Sequence, residues 1–517
     1  MKTINVLRSS ILFYILFLIA CQSDNKRDKI QTWFEQIAPD FSTQTLRVPQ
    51  GYTYDILFSE GDTVLTLDGK RTPAKGKHDF VAYIPIAGSS EHGYLYVGHE
   101  SHDTNSILGD GGAGTVFEVK KIDGNWRAVS DFYAIDFRAV GGSLRNCGGT
   151  LTPAGTIFSA EECEPKSNAD LFIQHSFRDT ADIFGRKRYL NYGWIVEIDP
   201  RERKAVRKLW QMGRYEHEDA HCMPDGRTVY LTDDATPAVL FKFISKTPYQ
   251  YEEGQLYAYR QSEDATGGEW IELPMQIDSL CHARDVAIRR GATLFVRHEW
   301  IEAVGDKIYI TETGNDNIDF EKAIKMGGRP AAHLSSLKKG AYTYSDPYGR
   351  VLVLDLKTLK IEPFVEGGII GGDTLKCFSN PDGLASISLN GKKYLVINED
   401  INGAEGYNRN GNAKDGKVYN EVYILDLDNP KPTVKNLQRF VVGPRGCETT
   451  GSFFTPDGNT YFVSIQNPSK ENAPPFNKSC VVAIYKSKLR AASHTAYNKK
   501  RMYAKFFFLL LQDVVVK

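Results

Sequence analysis

The sequence predicts an all-β fold, a six-bladed β-propeller with a metal site at one end of its central channel, on three observations. An apolar strand-like run ending in carboxylates or amides recurs six times, at residues 94–101, 156–162, 228–234, 307–315, 394–400 and 460–467. Val97, Ile157, Tyr230, Tyr309, Val396 and Phe462 stand at comparable places, about 60 to 87 residues apart, a spacing that fits blades with expanded loops. Turn signals such as Pro224-Asp225-Gly226, Asn390-Gly391 and Pro456-Asp457-Gly458 precede several copies, as a hairpin inside a blade requires. Units that cannot each bury both faces stack most simply around an axis. Equivalent strands would bring their acidic ends together at one end of the channel. Carboxylates crowded in this way are costly unless cations neutralise them, so the repeat predicts a site for several hard cations as well as a fold.

At the N-terminus, Lys2 and Arg8 precede a short apolar run, residues 11–20, and then Cys21. Leu18-Ile19-Ala20-Cys21 has the small residue and cysteine of a lipoprotein cleavage box. Residues 1–20 are therefore expected to be a lipoprotein signal peptide, Cys21 the lipidated residue, and 21–30 a solvated tether. The run is too short to cross a bilayer comfortably. The mature protein is expected to sit on a bacterial envelope membrane through its lipid, facing the periplasm or the exterior.

Residues 31–486 then form one propeller catalytic domain. No long linker or low-complexity tract interrupts them, and 41% hydrophobic with 12% aromatic content suffices for a large core. Sixty-three Lys and Arg balance sixty-four Asp and Glu, leaving a net charge of −1. No basic stripe marks a nucleic-acid surface, so nucleic acid is excluded as a partner and a monomer is expected. Residues 487–517, basic and then apolar, carry no assigned role. Of eight cysteines, seven remain once Cys21 is acylated, an odd number that leaves at least one thiol unpaired in an oxidising compartment. The absence of any CxxC pair argues against a zinc ribbon.

Several constellations sit beside the repeated runs. Asn146-Cys147-Gly148-Gly149 precedes the second, whose end is Glu161-Glu162. A lone buried cysteine is usually only a small apolar residue, but a thiol beside carboxylates makes a mixed site of the kind a transition metal favours. Residues 215–221 pack Glu216, His217, Glu218, Asp219 and His221 together, with Asp233-Asp234 a few residues on; a solvated loop has the same composition. Arg297-His298-Glu299 precedes the fourth run. Its arginine is either a weak surface ion pair or, near cations, a bidentate holder of an anionic oxygen. Pro381-Asp382 and Cys447-Glu448 occupy corresponding places before the fifth and sixth runs.

From about Gly93 to Pro468 this ordered series resembles the PhoX-type alkaline phosphatases. Gly98-His99-Glu100 resembles an early Asn-His-Glu, and Asn146-Cys147 with Thr152-Pro153 and Gly155-Thr156 resembles the cysteine block. Glu161-Glu162 falls on Cys-Glu-Glu, Gly213-Arg214 with His217-Glu218 and Ala220 on Gly-Arg…His-Glu-x-Ala, and Asp233-Asp234 on Asp-Asp. Arg297 and Glu299 fall on Arg-Pro-Glu, and Pro381-Asp382 and Glu448-x-Thr-Gly complete the order. The chain departs from the pattern at His298, Ala160 and Gly98, and its export signal lacks twin arginines. The resemblance implies a six-bladed propeller whose axial site holds ferric iron and calcium around a bridging oxygen. It implies Cys147, Glu162, Glu218 and Glu299 as metal ligands, with Glu161 close by, and Arg297 on the phosphate. Asp233, Asp234, Glu448 and Glu100 are further metal candidates from the acidic ends themselves.

The expected activity is hydrolysis of phosphomonoesters, and of some diesters, by a metal-held oxide or hydroxide. Arg297, Glu299 and Glu218 form the catalytic set. Phosphoryl transfer needs charge neutralised on the phosphoryl oxygens and an in-line nucleophile, both of which clustered cations provide without a serine. No Gly-x-Ser-x-Gly elbow points to a serine esterase. Two other classes share the channel carboxylates. One is a calcium-dependent propeller lactonase or esterase with His217 or His221 as base. The other is a non-catalytic envelope module in which calcium stiffens the propeller.

Overall fold

Valine, isoleucine and aromatic residues alternate through the body of the chain in short runs, and such runs bury best as pleated strands. In the computed structural model, which describes residues 33–40, 42–171, 188–370, 373–401 and 419–487, these runs form antiparallel sheets. The signal peptide, Cys21 and the tether lie outside the described residues, as does the 487–517 tail beyond Ser487. Among the described residues no helix is long and apolar enough to cross a membrane.

Each repeated run is the second strand of a sheet and pairs with a strand just before it in the chain. The pairs are His78–Pro85 with His92–His99, Asn146–Leu151 with Ile157–Glu161, and His217–Cys222 with Thr228–Asp233. They continue as His298–Val304 with Lys307–Glu312, Pro381–Leu389 with Lys392–Glu399, and Glu448–Phe454 with Thr460–Gln466. The first members are the axial strands. Each packs against the next, and the sixth packs against the first, closing a ring.

Six like blades were expected, but among the described residues five sheets have blade size, with four or five strands. The sheet holding His78–Pro85 has seven, because Thr63–Leu65, Arg71–Pro73, Asn125–Ala128 and Phe132–Ala134 extend it. In the sixth sheet the outermost strand comes from the other end of the chain. Tyr52–Ser59 pairs with Cys480–Lys486, which covers an edge that would otherwise stand open. The Asn390-Gly391 hairpin is the two-residue turn its sequence predicts, with φ of 53° and 79°, both in the left-handed region.

The core lies between neighbouring sheets. Between the seven-stranded sheet and the sixth, Val81, Tyr83, Trp126, Phe462 and Val481 are fully buried, and Tyr83 stacks on Phe462 at 5.4 Å. Each such side chain is worth about 2–3 kcal/mol. This packing fixes the axial strands and, through them, whatever their ends carry.

Candidate metal centre

The axial strands begin in one pattern. Their leading residues His78, Asn146, His217, His298 and Pro381 pair with His99, Glu161, Asp233, Glu312 and Glu399 at the ends of the repeated runs. Immediately afterwards the register slips by one residue in every sheet. A bulge of this kind re-aims a side chain that regular pleating would send into the sheet. The residues at the slip are Asp79, Cys147, Glu218, Glu299 and Asp382. In the sixth sheet Thr450 pairs with Ser464, so the slip falls on Gly451. Gly451 has φ +70°, and a Cβ there would stand 2.3 Å from the Asp79 carbonyl oxygen, so only glycine fits. Glu448 supplies the carboxylate of that sheet from three residues earlier.

These side chains meet. Cys147 Sγ lies 3.1 Å from Asp79 Oδ2 and 2.9 Å from Glu218 Oε1. Gly148 permits this approach, because a Cβ in its place would stand 2.4 Å from the Glu218 carbonyl oxygen. One donor atom from each of Cys147, Glu162 and Glu218 lies within 4.8 Å of the others, and the same holds for Glu218, Glu299 and Asp382. Two cation-sized donor groups thus share Glu218. Thr450 donates its hydroxyl to Asp79 Oδ1 at 2.8 Å, and Gln466 Nε2 donates to Asp79 Oδ2 at 3.0 Å. Among the described residues, two arginines bring positive charge into contact with the cluster. Arg145 reaches Glu162 at 2.5 Å and Glu100 at 2.8 Å, and Arg297 reaches Asp234 at 2.9 Å and Glu299 at 3.1 Å.

Burial first, and the Glu100 carboxylate second, lift the Asp79 carboxyl to about 7. Glu218, Glu299, Asp382 and Glu448 are pushed well above the usual carboxylate range, again by burial and then by neighbouring carboxylates. Glu162 is raised by burial against the pull of Arg145. Burial and the Asp79 and Glu218 carboxylates push the Cys147 thiol up as well. Asp382 Oδ1 is buried and receives no hydrogen bond. Buried, mutually repelling oxygen donors with an unsatisfied lone pair fit bound cations, and the single sulfur fits a softer metal on one side.

The neighbouring polar residues that end a run have separate positions. Alternation along a strand turns successive side chains to opposite sides. Glu100, Glu162 and Asp234 contact the arginines of the cluster, whereas the residue before each turns into its own sheet. Glu161, expected among the metal-site residues, instead takes both oxygens to Lys208 at 2.9 and 3.2 Å and accepts the backbone N–H groups of Leu144, Gly193 and Trp194. Asp233, also expected there, is bound by Arg284 and by the Val239 N–H. Glu312 is held by His333 at 2.8 Å and Arg350 at 2.5 Å. These carboxylates clasp strands and adjoining segments of their own sheets. Lys208→Met leaves Glu161 charged and buried without a cation, so unfolding in urea should show a loss of about 3–5 kcal/mol, with metal content unchanged.

Sequence reasoning missed Asp79 and Arg145 and gave Asp382 no role. A signal was present: His78-Asp79 repeats the histidine-acid step of His217-Glu218 and His298-Glu299. His298 takes the same place in its sheet as His78, His217 and Pro381, and it is fully buried against Phe295, with ring centroids 4.3 Å apart. The departure from proline therefore leaves Arg297 and Glu299 in register. Ala160 is fully buried in the core, and Gly98 pairs with Gly114 one residue before the end of its strand. His217 Nε2 lies 2.9 Å from the Gly213 carbonyl oxygen, away from the cluster. His221 is 3.5 Å from Glu302 in a separate cavity of about 440 Å³. Cys163, Cys222, Cys447 and Cys480 are buried, unpaired thiols.

A propeller whose axial strands turn buried carboxylates, a thiol and two arginines toward one another presents donors of the kind that cations take. The family model described as alkaline phosphatase PhoX matches residues 123–469, and the chain belongs to that family. It is an enzyme of the phosphatase class. The structure of Pseudomonas fluorescens PhoX in complex with vanadate, a transition state analogue, is similar in fold, with a TM-score of 0.66 at 22% identity. The match covers 88% of this chain and 98% of that one. Trypanosoma rangeli sialidase in complex with sialic acid gives a TM-score of 0.36 at 10% identity, over 88% of this chain and 62% of that one. Among curated proteins none matches the chain.

Proposed function

We propose that the chain hydrolyses phosphomonoesters at the mouth of the cluster, with the seven-stranded sheet serving as the sixth blade of the propeller. The observation that carries this reading is the pair of donor groups joined by Glu218, with Arg297 beside one of them and Cys147 in the other. The donors with Cys147 suit iron, and the all-carboxylate donors suit calcium. When bound, such cations supply positive charge for the phosphoryl oxygens and lower the pKa of a water. Arg297, fixed by Asp234 and Glu299, presents a planar fork for two phosphoryl oxygens. Glu218 and Glu299 would hold the cations, and the surrounding burial would keep bulk water from screening their charge. Residues 1–20 as a cleaved signal peptide, and Cys21 as a lipid anchor on the cell envelope, belong to the same reading.

The test uses protein from Gln22 onward, with metals counted by mass spectrometry and turnover measured on p-nitrophenyl phosphate, with added calcium and with EDTA. Iron plus calcium with chelator-sensitive turnover is expected, both lost in Cys147→Ala. Calcium alone, without phosphatase activity, would sink the reading and leave a calcium-stabilised binding module.

A further inference from the structure

Arg145 stands in the second sheet where Arg297 stands in the fourth. Each immediately precedes the leading residue of its axial strand, Asn146 opposite Glu161 and His298 opposite Glu312. Both adopt left-handed backbone angles, φ 48° and 46°, which a residue with a Cβ takes up only where its surroundings enforce it. Lys77 and Asn380 share the conformation before their own strands, with φ 51° and 50°. At this position an arginine occurs in the second and fourth sheets, and each grips carboxylates of the cluster.

Exposure separates Arg145 from the arginines that hold Glu312 and Asp233. The side chains of Arg350 and Arg284, which hold Glu312 and Asp233, are 3% and 12% exposed. That of Arg297 is 17% exposed and that of Arg145 is 37%. Arg145 therefore lies at the rim, with one edge on Glu100 and Glu162 and another open to solvent. Glu162 also feels Asp234 and Glu299, the two partners of Arg297, so the two guanidinium groups border one cluster from different sheets.

We propose that Arg145 is a second substrate-positioning arginine, taking a non-bridging phosphoryl oxygen from the side away from Arg297, and that the pair sets a preference for monoesters over diesters. This rests on the phosphatase reading. A phosphomonoester offers three terminal oxygens and up to two negative charges, enough for two forks approaching from different sheets. A diester offers two such oxygens and one charge, which a single fork satisfies.

The experiment measures kcat and KM for p-nitrophenyl phosphate and bis-p-nitrophenyl phosphate in wild type, Arg145→Gln and Arg145→Lys. Inorganic phosphate binding is followed by calorimetry and metal content by mass spectrometry. In Arg145→Gln the monoester KM and the phosphate Kd should rise about tenfold, and the monoester-to-diester ratio of kcat/KM should fall to match, with part of each recovered in Arg145→Lys. An unchanged ratio with unchanged phosphate affinity would overturn the proposal. Loss of metal in both variants would overturn it too, since Arg145 would then be a clasp on Glu100 and Glu162. A wild type inert toward both esters defeats the phosphatase reading instead, and the calorimetry alone then decides for or against a phosphate-binding Arg145.

Discussion

Glu218→Gln should lower phosphatase turnover by about 10³-fold or more, the largest loss expected of any single conservative change in the chain. Glu218 is the residue shared by both donor groups, so one amide would weaken both proposed cation sites together. The substitution keeps the volume and one acceptor oxygen but removes a full charge and the second strong donor. Asp382→Asn, by contrast, touches only the group it forms with Glu218 and Glu299, and should leave the Cys147 side loaded. Metal content measured beside kcat separates the cases. Loss of both metals in Glu218→Gln, against loss of one class in Asp382→Asn, fits the shared ligand. A Glu218→Gln enzyme that keeps its full metal complement and stays within tenfold of wild type would show that the two groups are independent.

The propeller was legible because its signal is repeated. The recurring runs form the second strands of their sheets, and the Asn390-Gly391 turn has the conformation its residues demand. The enlarged first sheet was not legible, since Thr63–Leu65 and Arg71–Pro73 are too short to leave a period in the sequence. The cluster was half legible. Reading the acidic run ends as one convergent set ignored alternation, which sends Glu162 toward the cluster and Glu161 to Lys208. Bulges were the other hidden element. A regular strand would bury Asp79 and Asp382 inside a sheet, and only the register slip beside them makes them ligand candidates. Nothing in the composition of residues 78–85 announces that slip. Arg145 was invisible for a similar reason, because its geometry depends on a left-handed φ that its residue type disfavours.

The cluster also fixes how stability depends on pH and metal. Without cations, the folded chain holds Asp79 near 7 against an ordinary 3.8, and it raises Glu162, Glu218, Glu299, Asp382 and Glu448 in the same direction. Between those values the folded state binds more protons than the unfolded state, so stability falls as pH rises. For Asp79 the stabilisation is fully present below about pH 4 and is lost as pH climbs through about 7. Bound cations take the place of those protons, so the loaded protein should lose this dependence and gain stability by mass action. The measurement is a set of melting temperatures at pH 5 and pH 8, for protein treated with EDTA and protein loaded with calcium. The chelated protein should melt lower at pH 8 than at pH 5, and calcium should restore most of the difference at pH 8 while doing little at pH 5, where protons already occupy the carboxylates. A chelated protein that is equally stable at both pH values would mean that the carboxylates are solvated and paired, and that the axial cluster is no cation site.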